Sequence, residues 1–133
     1  MAIILDADVI IRGEKGTFNL LEWLDSQRTE RFELAAITVA ELWHGVERAS
    51  AAHRSAREEY LRAIFEQIPI VPYTEQTAYY HARIWAELES TGKMVGPYDL
   101  VVAATALERG SSVATFNKRH FANIDGLKVI EPK

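Results

Sequence analysis

The hydrophobic pattern of this chain changes period in blocks. In "AIILDADVIIRG" an apolar run, Ile3-Ile4-Leu5, breaks for Asp6 and Asp8 and then resumes at Val9-Ile10-Ile11. The first run reads as a short buried strand, the kind a parallel sheet covers on both faces. Phe18, Leu20, Leu21 and Leu24 have helical spacing and predict a short helix over 18–24. "FELAAI" (32–37) reads as a second strand. Val39, Leu42, Trp43, Val46 and Ala49 then fall at i, i+3, i+4, i+7 and i+10, the stripe of a strong helix. Residues 52–68 form another, with Tyr60, Leu61, Ile64, Phe65 and Ile68 on one face.

Pro69 stops that helix, and "IPIVPY" supplies a short strand bounded by prolines. Thr74 suits an N-cap for the next helix, whose core face is read as Ala78, Ala82, Trp85 and Leu88, with Gly92 as its stop. "GPYD" opens a further helix with Pro97 in its first turn, and the run from Leu100 to Leu107 is apolar almost all round, the mark of a buried helix. "SVAT" (112–115) and "LKVI" (127–130) read as the last strands. Strands alternating with helices predict an α/β fold with a central, mostly parallel sheet of about four to five short strands flanked by helices. Ligands of such sheets sit at the carboxyl ends of the strands, where strand order reverses. Acidic residues that matter should therefore fall just after a strand or in the first turns of a helix.

Composition narrows the field. At 133 residues one domain is expected over 1–133, large enough to bury a core unaided. Cys is absent, so disulfides, thiolate zinc sites and cysteine nucleophiles are excluded, and the absence fits a cytoplasmic location. No apolar stretch is long enough to span a membrane, and no secretory leader pattern opens the chain. The net charge of −4 argues against broad electrostatic attraction to nucleic acid, although bound divalent ions would invert the sign of an acidic site locally. Arg48, Arg54 and Arg57 gather locally, and read as a solvated helix face.

Each carboxylate has a plain reading beside a functional one. Asp6 or Asp8 would cap a short helix through Ile10 and Ile11, but one cap explains only one aspartate. Thr38-x-x-Glu41 has the form of a capping box, which would occupy Glu41 with backbone. Asp99 would gain from the macrodipole of its helix, yet it heads an apolar helix with no Lys or Arg nearby to pair with it. Taken together, several carboxylates within a few Å repel by roughly 4 kcal/mol per close pair at an effective dielectric near 20. Protons or a metal must then neutralise them. Oxygen ligands without Cys suit Mg²⁺ or Mn²⁺, which activate water for attack on phosphorus.

Four blocks carry a family resemblance, in order and over nearly the whole chain. "ILDADVII" with Asp6, "ITVAELWHGVERA" with Glu41, "GPYDLVVAATALERG" with Asp99, and "VATFNKRHFANIDGLKVIEP" resemble the blocks of PIN-domain ribonucleases, specifically VapC-type toxins of toxin–antitoxin pairs. The resemblance implies a single PIN domain with a three-layer fold, and a metal-dependent endoribonuclease cutting tRNA or another structured RNA by metal-activated water. Asp6, Glu41 and Asp99 would be its catalytic acids. Asp6 and Asp99 would ligate Mg²⁺ or Mn²⁺, with Glu41 doing so directly or through water. Asp8 and Asn117 would act just beyond the direct ligands. The closing block departs from the pattern: Asn117 and His120 stand where many relatives carry a fourth acid, which favours one well-held ion. Thr115 would orient Asn117.

Lys118, Arg119 and His120 are expected to contact the RNA backbone, the plainer reading of His120 being a surface histidine beside a core Phe121. His44, three residues after Glu41, would hydrogen-bond it or simply pack. Trp and Tyr residues are read as core or interface rather than as stacking platforms. The resemblance further implies a homodimer, a cognate VapB-type antitoxin whose basic side chain replaces the metal's charge, and no membrane association. Two rivals remain at this point. One is a PIN-fold binding module with weak or no catalysis. The other is a haloacid-dehalogenase-like phosphatase, with Asp6 as nucleophile, Asp8 as acid/base and Lys118 as its lysine. No acid pair follows Lys118 to serve the phosphatase, since only Asp125 and Glu131 come later.

Overall fold

The computed structural model describes residues 2–133. Five strands, β1 (Ala2–Leu5), β2 (Arg31–Ala35), β3 (Ile70–Val71), β4 (Ser112–Ala114) and β5 (Val129–Ile130), form one sheet in the order β3-β2-β1-β4-β5. Every neighbouring pair is parallel, as the alternation of strands and helices required. Between them run α1 (Ala7–Lys15), α2 (Leu20–Ser26), α3 (Ala36–Arg48), α4 (Ala51–Gln67), α5 (Glu75–Ser90) and α6 (Pro97–Arg109).

The pleat divides β1 between two cores. Ile3 and Leu5 point into a cluster with Val9, Ile10, Trp23, Leu42, Val46 and Leu61, supplied by α1 to α4. Ile4 points the other way, into Ile84, Leu88, Val102, Ala103, Val113 and Phe121, where α5 and α6 pack. The result is a three-layer sandwich. Ile4, Leu5, Val102 and Val113 are wholly inaccessible, so the apolar runs of "AIIL" and "DLVVAATA" are what hold the layers together.

The chain passes from β1 to β2 and β3 on one side, then returns through α5 and α6 to β4 on the other side of β1. Strand order therefore reverses between β1 and β4. Leu5 is in register with Ala114, and the Asp6 N–H donates to the Ala114 carbonyl at 2.9 Å. The carboxyl ends of these two strands, carrying Asp6 and Thr115, form the crevice where a ligand site is expected.

Three details differ from the sequence reading. The second strand ends at Ala35, and Ile37 is already helical. Thr38 is consequently inside α3 and not at its cap, so the expected Thr38–Glu41 capping box does not form; the cap is Ala35, without a side-chain bond. The core face of α5 is Thr77, Ile84 and Leu88, while Ala82 is exposed and Trp85 is 53% exposed. The stripe is rotated because Thr77, a polar residue, is buried with its hydroxyl satisfied: it closes a capping box with Thr74 and donates to Glu108 at 2.8 Å.

Candidate active site

Asp6 ends β1 and caps α1, so both plain and functional readings of this residue apply to one side chain. Its Oδ1 accepts from the Ala7 N–H at 2.9 Å and its Oδ2 from the Thr115 hydroxyl at 2.8 Å. Asp8, one turn-start further on, is tied to the end of β4 instead. Its Oδ2 accepts from the Phe116 N–H and the Asn117 side-chain amide, both at 3.0 Å, and lies 3.3 Å from the Thr115 hydroxyl. The two N–H donors meet one oxygen, with the Thr115 hydroxyl beside it. Asp8 Oδ1 is buried with no hydrogen-bond partner.

With its capping box absent, Glu41 is free of backbone duty. It projects from the second turn of α3, and its Oε1 is likewise buried without a partner. Asp99 sits in the first turn of α6, after Pro97. Its Oδ2 is 3.3 Å from His120 Nδ1, from the 3-10 turn Lys118–His120. His120 is thus the basic partner that α6 itself lacks, and is more than a surface histidine, while Phe121 beside it is core as expected.

Electrostatics bind the four acids into one cluster. Burial pushes Glu41 up to about 7, and the charges of Asp6, Asp99 and Asp8 add to the rise. Asp6 is raised by burial and by Asp99, against the Thr115 and Ala7 bonds. Asp8 is raised by burial and by Asp6, and Asp99 by burial, with His120 opposing. Carboxylates shifted upward by one another's charge and by desolvation are a common signature of functional sites.

The donor set fits a divalent cation. Two buried oxygens without partners, Asp8 Oδ1 and Glu41 Oε1, are costly unless something positive or protic meets them. All the candidate donors are hard oxygens. No three His, Asp or Glu side chains among the described residues stand in a metal-holding arrangement.

Other expected site residues divide. Asn117 donates its side-chain amide to Asp8, and so holds one of the acids from just beyond the cluster. Its own N–H donates to Thr115 Oγ1 at 3.0 Å. Thr115, fully buried, does more than orient Asn117: it ties Asp6, Asp8 and the closing loop together. A polar residue ending an apolar strand, as Asp6 does in β1, was the signal for it. Lys118 and Arg119 are exposed beside His120. His44 is exposed and makes no hydrogen bond to the orphaned Glu41 Oε1, so the hydrogen-bonding alternative for it does not hold.

A family model described as PIN domain matches residues 3–127. Ribonuclease VapC1 of Rickettsia felis is 30% identical over 134 residues, covering 98% of this chain and 96% of that protein. The chain belongs to the PIN-domain family, among its VapC-type ribonucleases. The tRNA(fMet)-specific endonuclease VapC of Salmonella typhimurium is 34% identical over 101 residues, 76% of this chain and 75% of that one. The crystal structure of DNA-bound VapBC from Salmonella typhimurium superimposes with a TM-score of 0.90 at 27% identity over 98% of each chain. Membership of this ribonuclease family sets the phosphatase reading aside. No helix among the described residues is long and apolar enough to cross a membrane.

Proposed function

We propose that residues 1–133 form a single PIN domain whose Asp6, Glu41 and Asp99 hold one Mg²⁺ or Mn²⁺ ion for endonucleolytic cleavage of RNA. The observation that carries this is the coupled carboxylate cluster, with Glu41 pushed up to about 7 and one unpartnered buried oxygen each on Glu41 and Asp8. A bound divalent ion supplies positive charge and Lewis acidity at the phosphodiester. The protein's own part is positional. Thr115 and the Ala7 N–H fix the two oxygens of Asp6, and the closing loop clamps Asp8 by a single oxygen. His120 holds Asp99, and its exposed neighbours Lys118 and Arg119 support a role for this turn in contacting the RNA backbone.

Similarity to a relative named as a tRNA(fMet)-specific endonuclease supports tRNA as the substrate class. Likeness to a toxin solved within a VapBC complex supports a cognate VapB-type antitoxin, and the family resemblance supports a homodimer acting in the cytoplasm. The test is cleavage of a labelled total-tRNA pool by antitoxin-free protein with Mg²⁺, Mn²⁺ or EDTA. Metal-dependent cuts that vanish in Asp99→Asn support the reading. Folded wild type that cuts no RNA leaves the binding module, with Asn117 and His120 as the positions responsible.

A further inference from the structure

A cavity of about 420 Å³ opens beside Glu41, and the carboxylate cluster does not account for it. Its walls are Ile37, Ala40, Glu41 and His44, at i, i+3, i+4 and i+7 on one face of α3, and Tyr98 from the first turn of α6. Tyr98 is 55% exposed and precedes Asp99 in α6, while Glu41 itself lines the cavity.

We propose that this pocket receives an unstacked base of the RNA next to the phosphate being cut, with Tyr98 as its stacking face and His44 and Glu41 at its rim. The inference rests on the nuclease reading above and names what that site selects. A phosphodiester held at the cluster leaves the attached base within reach of whichever cavity shares a wall with the cluster, and Glu41 is that shared wall. No Lys or Arg lines the pocket, so it is built for a neutral planar group and not for backbone phosphate. Apolar walls, an aromatic face and polar groups at the edge are how proteins read splayed single-stranded bases. Tyr98 and Ile37 also line an adjoining apolar cavity of about 410 Å³ with Trp85 and Met94, which leaves a second copy of the chain as the competing occupant.

The test walks a single abasic residue through a stem-loop RNA copied from the cut mapped in tRNA, with wild type, Tyr98→Ala and Tyr98→Trp. In wild type, an abasic residue at one position next to the cut should raise KM on the order of 10-fold, with kcat nearly kept. Tyr98→Ala should show that rise on intact RNA and be indifferent to the same abasic position; Tyr98→Trp should keep the discrimination. Wild type indifferent at every position, or Tyr98→Ala retaining the full penalty, overturns the base subsite. A loss in Tyr98→Ala that is equal at every position and accompanied by a change in sedimentation mass makes this face an interface between copies, and also overturns it. Failure of the nuclease reading is distinct: wild type then cuts no tRNA at all and matches Asp99→Asn.

Discussion

Thr115 donates its hydroxyl to Asp6 across the seam between β4 and β1, at 2.8 Å and fully buried. A hydroxyl has one proton to give, and Asp8 Oδ2 stands 3.3 Å from the same oxygen. Thr115→Val should therefore leave both acids harder to ionise. The expected outcome is a loss of about 1–3 kcal/mol of stability, the range for a buried hydrogen bond to a charged group, with metal affinity falling roughly 10- to 100-fold. Chemical denaturation and Mn²⁺ titration measure the two effects separately; Thr115→Ser should restore the second.

Glu41 gives a pH dependence whose sign is fixed. With a folded value near 7 against an ordinary 4.5, the folded protein keeps a proton that the unfolded chain has already lost across that window. Metal-free protein should lose stability as pH rises from about 5 to 8. Glu41→Gln removes the Glu41 share of the dependence, so in EDTA it should melt several degrees above wild type at pH 8 and close to it at pH 4.5. Saturating Mn²⁺ should reverse the order at pH 8, because the ion stabilises only the carboxylate.

His120 lowers the value of Asp99 through its charge and its contact at 3.3 Å. His120→Ala should move the acidic limb of the pH–rate profile to higher pH, while the rate on the alkaline side falls less. An unshifted limb would mean that the pair does not act on Asp99 in solution.

Far from the cleft, Glu33 of β2 is 6% exposed and takes a two-point contact from Arg109, Nε to Oε1 at 3.0 Å and Nη2 to Oε2 at 2.5 Å. Arg109→Ala strands that carboxylate and should cost about 2 kcal/mol, less than a fully enclosed pair because Arg109 is partly exposed. Replacing both residues with Leu should cost less than Arg109→Ala alone. Thermal melts of the single and double variants decide it.

The layout of the fold was legible because it rests on pattern. The buried strands, the capped α5 and the apolar α6 all follow from periodicity and caps, and the crevice rule located Asp6, Glu41 and Asp99. What the sequence hid were choices that only tertiary contacts make. "Thr38-x-x-Glu41" has the letters of a capping box, but the helix starts earlier, at Ala36, and so releases Glu41. Ala78, Ala82 and Trp85 looked like the core stripe of α5, yet alanines weigh little in a periodicity and Thr77 won the buried place through Glu108. Trp85 instead stacks on His81 at the surface, with ring centroids 5.7 Å apart. Asn117 has the composition of a metal-facing residue, and only the position of Asp8 turns its amide inward. The pairing of His120 with Asp99 joins residues from two separate blocks, which local spacing does not encode.

If Asp6, Glu41 and Asp99 form one site for a divalent ion, each must contribute to holding it. Mn²⁺ binding at pH 8, followed by electron paramagnetic resonance in wild type, Asp6→Asn, Glu41→Gln and Asp99→Asn, measures this. Wild type should bind one saturable ion per chain, and each variant should lose most of that affinity with its fold retained. No saturable binding by wild type, or binding that all three variants preserve, would contradict a single shared site.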